Sequence, residues 1–291
     1  MIEAKPKKAT VWDVDRVWYP DISTTYCAKG RDGNPNEVVA YGLEKSYFKT
    51  SDIDRWSYEF NQGRPVETYG QAADMFTAFY NKMYKEDEKT RILTKEQTIE
   101  LKQRLLKGMR MGDVNIIASR VQLTDGLVPV THELESRRVY QSAFSDGLAP
   151  FVSYWMYVCG MNYGAVVPTI LEEDGGERLF VLASDSRLFT IDSILTGKTL
   201  QFNKRDSIKN HYTARNIPLS DLAVIDDSEA ALPLMGEVQQ AGGLSVGFNV
   251  LPGQVPKFRE AGVPIIKGNS LLPFAELVLQ PTEANLGRYC E

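Results

Sequence analysis

Two short apolar runs in this chain stop on acids. ATVW, from Ala9 to Trp12, leads into Asp13 and Asp15, and LAVI, from Leu222 to Ile225, leads into Asp226 and Asp227. Runs of this length and β-type composition read as strands, and carboxylates do not persist inside a sheet that is covered on both faces. Each run therefore predicts a buried strand that ends where its acids begin. After Gly126 the texture alternates. HELESRRVYQSAF gives a helix end and a strand, GLAPFVSYWMYVCG a buried helix, and KRDSIKNHYTARN a polar-faced helix. The acid-tipped strand follows, then LPLMGEVQQAGG as a helix, GLSVGFNV as a strand, PKFREAGVP as a helix or loop, and IIKG as a further short strand. Alternating strands and helices imply an α/β fold, a Rossmann-like parallel sheet in three layers.

A helical block interrupts that plan. Residues 21 to about 50 are rich in Gly, Pro, Asn and polar groups, and from Ser51 the apolar spacing becomes helical through SDIDRWSYEF, QAADMFTAFYNKMY and TKEQTIELKQRLLKGM. Thr94 and Gln97 read as a capping box for the last of these. The block lies between the first strand and the rest of the sheet. The expected organisation is a core of residues 1–20 and 122–291, with a helical cap, 21–121, inserted after the first strand. The Phe, Tyr and Met stripe of the block reads as its own core.

Composition narrows the partner. With 33 Lys and Arg against 38 Asp and Glu, the net charge is −5, which argues against gripping a nucleic-acid backbone and for a small ligand or a protein. Three cysteines, Cys27, Cys159 and Cys290, stand far apart with no CxxC pair, so a reducing, cytoplasmic setting is expected, with neither a disulfide framework nor a zinc site. The first residues lack the pattern of a signal peptide, and the longest uncharged stretch, Leu148 to Leu171, is broken by Gly and Pro, so no membrane association is expected. His132 and His211 have no partner at ligand spacing, and no glycine-rich nucleotide loop is present. Oligomeric state leaves no trace in the sequence.

In open parallel sheets, ligands sit beyond the carboxyl ends of the strands, so polar residues at those ends carry the candidates. Asp13 and Asp15, two apart on an extended segment, would present both carboxylates to one side, where one can be ionised and the other protonated. Ser142 follows an apolar strand and precedes a helix whose N-terminus could hold an anion; it is preferred to Ser184, which no helix follows. Lys204 opens the polar helix, and Lys209 lies on it. Acids at two strand tips, Asp13 and Asp15 on one and Asp226 and Asp227 on the other, suggest a Mg²⁺ site, because a hard divalent ion prefers carboxylate oxygens.

Together these residues resemble the signatures of the haloacid dehalogenase (HAD) superfamily, in its phosphoserine phosphatase-like branch. VWDVDRV is similar to the first signature through Asp13, Asp15 and Val17. The segment ending VYQSAF looks like the approach to the second through Ser142, Lys204 matches the third, and Asp227 the fourth. Two positions depart from the pattern: Arg16 stands where Gly or Ser is usual, and Ala231 where a further acid is usual, with Asp226 as the candidate replacement. The resemblance implies a HAD-like core with a cap domain and a Mg²⁺-dependent phosphatase acting on a small phosphorylated metabolite through an aspartyl-phosphate. In it Asp13, Asp15, Ser142 and Lys204 would be catalytic, and Asp13, Asp15, Asp227 and Asp226 would hold the metal. Its alternative is a weakly active or inactive member that binds a phospholigand or a protein.

Overall fold

The computed structural model describes residues 5–20, 29–34, 36–60, 104–106, 108–109, 111–145, 149–161, 171–174, 178–181, 187–188, 200–201 and 204–291. Cys27, Thr94, Gln97 and Ser184 lie outside the described residues, as does most of the expected helical block after residue 60. The described strands are β1 (Ala9–Trp12), β2 (Tyr140–Ala143), β3 (Leu171–Asp174), β4 (Arg178–Val181), β5 (Arg187–Leu188), β6 (Leu200–Gln201), β7 (Leu222–Asp226) and β8 (Leu244–Gly247). The longer helices are α1 (Glu37–Glu44), α2 (Thr50–Phe60), α3 (Met111–Arg120), α4 (Leu127–Ser136), α5 (Ala149–Val158), α6 (Lys204–Thr213), α7 (Leu232–Gln240), α8 (Val255–Glu260), α9 (Leu272–Leu279) and α10 (Glu283–Tyr289).

Four strands form the parallel sheet in the order β2-β1-β7-β8. Trp12 pairs with Ala143 on one side and with Ile225 on the other, and Asp226 pairs with Gly247. Because side chains alternate along a strand, each strand feeds both faces, which is why the runs are apolar throughout. One face buries Trp12, Ala143, Ile225 and Val246 against Leu134 of α4, Trp155 of α5, and Phe274 and Leu277 of α9. The Trp12 and Phe274 rings meet edge to face at 4.8 Å. The other face buries Val11, Phe144 and Val224 against Ile208 and Tyr212 of α6, Met235 and Val238 of α7, and Phe258 of α8. Each fully buried side chain of this size contributes roughly 1.5–3 kcal/mol relative to exposure.

The order of elements places a helical segment between β1 and β2, as the sequence pattern expects, and its described parts share the sheet's core. Ile117, Ala118 and Val121 sit in the same apolar cluster as Trp12 and Trp155, and the Trp155 indole donates to the Ala118 carbonyl at 3.1 Å. Asp113 on α3 accepts from the hydroxyls of Tyr41, at 2.6 Å, and Tyr47, tying α1 to α3. Burial and the bond to Asp113 push the Tyr41 phenol up to about 12. Asn36 caps α1 by accepting from the Val39 amide at 3.1 Å. Gly126, left-handed at φ 81, opens α4 where a Cβ would stand 2.7 Å from the Leu272 backbone nitrogen, so α4 and α9 approach closely only because that side chain is absent.

Two elements differ from the sequence reading. IIKG is not a strand: Ile265 and Ile266 make isolated bridges to Gly247 and Cys290. Between α5 and α6 the chain makes antiparallel pairs, β3 with β4 and β5 with β6, separate from the main sheet. Among the described residues, no helix is long and apolar enough to cross a membrane.

Candidate active site

The sheet brings the two acid-tipped strands side by side. β1 and β7 are hydrogen-bonded neighbours, and their register continues past Trp12, since the Asp13 amide donates to the Ile225 carbonyl at 3.0 Å. That adjacency delivers Asp13 from just past the end of β1, Asp226 from the last position of β7 and Asp227 from just past it. One oxygen of each lies within 4.8 Å of the others, and all three residues are buried, at 8%, 2% and 7% exposure. Asp226 Oδ1 accepts from the amide and hydroxyl of Ser228 at 3.0 and 2.8 Å, which fixes the turn that aims the neighbouring acid.

Buried like charges repel, by roughly 4 kcal/mol per pair at 4 Å and an effective dielectric of 20, so such a group needs positive charge. Three carboxylate oxygens gathered at this range suit a hard divalent cation, whose oxygen ligands stand about 2 Å from its centre. Arg16 supplies part of the compensation: its Nη1 lies 3.3 Å from Asp227 Oδ2.

Asp15 is placed differently from its expected partner Asp13. The chain leaves the extended conformation after Val14, Trp18 donating back to the Val14 carbonyl at 2.9 Å, and Arg16 is left-handed at φ 66. Two-residue alternation therefore no longer governs Asp15, whose Oδ1 accepts from the Tyr19 hydroxyl. Tyr19 is wholly buried and packs against Trp155 with ring centroids 5.4 Å apart.

Ser142 is not carried to the strand end. It pairs with Val11 inside the sheet, its Oγ bonds the Tyr212 hydroxyl, and that hydroxyl donates to the Thr10 carbonyl at 2.8 Å. Ser142 is wholly buried, so its hydroxyl serves the packing of α6 on the sheet. Burial raises the Tyr212 phenol well above the ordinary range, the bond to Ser142 opposing that shift. The serine beyond the end of β2 is Ser145, buried at 2% exposure and one residue past Phe144, whose amide donates to the Trp12 carbonyl at 2.9 Å. The signal that could have found it is the turn-type composition of Ser145, Asp146 and Gly147 in the sequence after the apolar run.

Lys204 opens α6, as its spacing predicts; its side chain lies outside the described ones. Lys209 pairs with Glu237 at 2.9 Å on the outer surface of α6 and α7. His211 is engaged elsewhere: its Nε2 bonds the Tyr140 hydroxyl at 3.0 Å, and burial followed by the nearby Arg215 charge pulls its pKa down to about 4. Ala231 ends a short 3-10 turn and packs with Val224 and Met235, an apolar position that offers no ligand.

No family model matches the sequence, and no curated protein matches it. Solved structures do share its fold. A substrate-bound phosphoserine phosphatase complex is similar at TM-score 0.53 and 14% identity, covering 94% of this chain and 99% of that one. A HAD family hydrolase from Salmonella enterica serovar Typhi is similar at TM-score 0.53 and 13% identity, covering 96% and 73%. A phospho-aspartyl intermediate analogue of phosphoserine phosphatase is similar at TM-score 0.50 and 16% identity, covering 94% and 100%. With its acids at the tips of adjacent central strands, the chain has the fold of the HAD hydrolases, in the form that phosphoserine phosphatases share.

Proposed function

We propose that this protein is a Mg²⁺-dependent phosphoric monoester hydrolase acting on a small phosphorylated metabolite. The observation that carries the reading is the convergence of Asp13, Asp226 and Asp227 within 4.8 Å at the carboxyl ends of neighbouring strands. The fold shared with phosphoserine phosphatases supports it.

In this reading an Asp13 oxygen attacks phosphorus, the ester P–O bond breaks, and Asp15 gives a proton to the leaving alcohol. Water then attacks the aspartyl-phosphate; Asp15 takes its proton, and Asp13 and inorganic phosphate are released. Tyr19 holds the Asp15 carboxylate while it exchanges that proton. Asp13, Asp226, Asp227 and the Asp15 carbonyl would hold the ion, which when bound offsets the repulsion between the phosphate dianion and these acids. Lys204 adds positive charge, and we assign the hydroxyl that binds phosphate to Ser145 in place of Ser142, whose bonds lie in the core. Residues 21–121 form the cap that excludes water and selects the substrate. Within its described part, Arg55 and Arg104 are paired with Asp52 and Glu59, so substrate contact requires exchange of those pairs. The free, buried thiols of Cys159 and Cys290 favour a reducing, cytoplasmic setting.

The test is hydrolysis of an aryl phosphate by the purified protein, with and without Mg²⁺ and with Asp13→Asn. Activity that requires the ion and disappears in the variant supports the reading, and full activity in Asp13→Asn removes it. A second reading rests on the Arg16–Asp227 pair and on apolar Ala231: a protein of this fold that binds a phospholigand or a protein partner without turnover. Binding of a phosphate ester with no release of inorganic phosphate, at saturating Mg²⁺, selects that one.

A further inference from the structure

The proposed chemistry leaves one buried charge beside the acids without a part. Arg16 is left-handed, at φ 66, a conformation that non-glycine residues keep only where their contacts over-determine it. Those contacts form a clasp. One guanidinium nitrogen lies 3.3 Å from Asp227 Oδ2 and the other donates to the Asn249 carbonyl. Asn249, itself left-handed at φ 51, returns its amide to the carbonyls of Arg16 and Pro20 at 3.0 and 3.1 Å. The clasp joins the loop after β1 to the loop after β8, and β7, which ends on Asp226 and leads into Asp227, runs between those two strands. The side chains of Arg16 and Asp227 are each only 10% exposed, so solvent screens their interaction weakly.

We propose that Arg16 is a built-in counter-ion of the acid cluster. It occupies part of the binding capacity of Asp227, keeps the three carboxylates folded together when no cation is bound, and thereby sets the cation concentration at which the site fills. The inference rests on the metal reading given above. Where the three carboxylates are ionised, the guanidinium offsets part of their mutual repulsion. An entering divalent ion meets the guanidinium's repulsion and has to share Asp227 with it. Removing that charge leaves the acids more attractive to the ion and less tolerable without it, so affinity and cation-free stability move in opposite directions. An arginine that served only as a tether between loops would, when removed, worsen both.

The experiment compares the full-length protein with Arg16→Met, which keeps the stem and loses the charge, and with Arg16→Lys, which keeps the charge. Mg²⁺ affinity is read by calorimetry at low ionic strength, and thermal midpoints are read in chelator and in saturating Mg²⁺. The expected result is binding about tenfold tighter in Arg16→Met, a lower midpoint in chelator, and a gap that narrows when Mg²⁺ is added; Arg16→Lys stays near wild type in affinity. Arg16→Gln, which retains a donor for the Asn249 carbonyl, carries the same expectation should Arg16→Met fail to fold. Unchanged or weaker Mg²⁺ binding in the neutral variants, beside a wild type that binds, overturns the counter-ion role and leaves the metal centre standing. A wild type that binds no divalent cation overturns the metal centre and the counter-ion role together.

Discussion

The same two strands carry opposite electrostatics at their two ends. At the amino ends of β1 and β7, Lys7 is 1% exposed and its ammonium donates to the carbonyls of Gly242 and Ser220 at 2.7 and 3.1 Å. Beside it Lys8 and Lys5 pair with Asp221 at 2.6 and 3.2 Å. At the carboxyl ends, Asp13, Asp226 and Asp227 crowd together against Arg16. One end spends its charges on one another and on backbone carbonyls, so it holds the strands in place. The other gathers three acids and one arginine in a buried setting, the kind of arrangement that sites for charged ligands use.

Substitutions at the two ends should therefore part company. The largest effect is expected from Asp13→Asn, with hydrolysis of an aryl phosphate falling at least ~10³-fold while the thermal midpoint in chelator holds or rises, because one of three repelling charges is gone. A drop in stability would show that the acids are a structural network like the one at the amino ends. Lys7→Met should do the reverse, lowering stability by about 2–3 kcal/mol through loss of two bonds from a charged donor, with turnover per folded molecule kept. Denaturant unfolding alongside the rate assay separates the two.

The serines sharpen the contrast along a single strand. Ser145→Ala should slow the reaction by about 10²-fold, the usual effect of losing one donor to the reacting group. Ser142→Ala should cost about 1 kcal/mol of stability and leave the rate per folded molecule intact, since the Tyr212 hydroxyl keeps its bond to Thr10. The opposite outcome would return the catalytic role to Ser142.

The smallest effects lie in the dependence on pH. His211 is held down to about 4 in the folded protein against an ordinary value near 6.5, so the unfolded chain binds the extra proton first on acidification. Stability should fall as pH drops through the window from about 6.5 to 4, and His211→Gln should flatten that slope in unfolding measured at several pH values. Asp221 acts lower on the scale. Burial alone would raise its carboxyl, but the bonds from Lys8 and Lys5 outweigh it and hold the group below the ordinary carboxylate range. Its contribution is present above the unfolded value and lost as pH falls through the folded one, so Asp221→Asn should remove the most acidic part of the stability curve.

Much of this was legible in the residues. The apolar runs that became β1, β2, β7 and β8 are buried on both faces, and such strands advertise themselves without alternation. The acids after β1 and β7 were legible for the same reason, since a carboxylate marks where a buried strand has to stop. The position of Ser142 was not legible, because a hydroxyl near the end of an apolar run looks alike whether it faces the core or the rim. Register decides, and Ser142 lies level with Val11, two residues before Asp13. Arg16 gave no sign of its contacts, because its partners Asp227 and Asn249 are more than two hundred residues away.

By itself, the sequence determined the α/β alternation, the strand ends and the acids that would stand there, because burial and solvation act residue by residue and leave a local record. Only the tertiary structure decided that β1 and β7 are neighbours, that Asp226 joins Asp13 and Asp227 in one group, that Asp15 turns toward Tyr19, and that Arg16 closes on Asp227. Those are statements about which remote segments share a few ångströms, and strand order and register, which no local pattern encodes, set them.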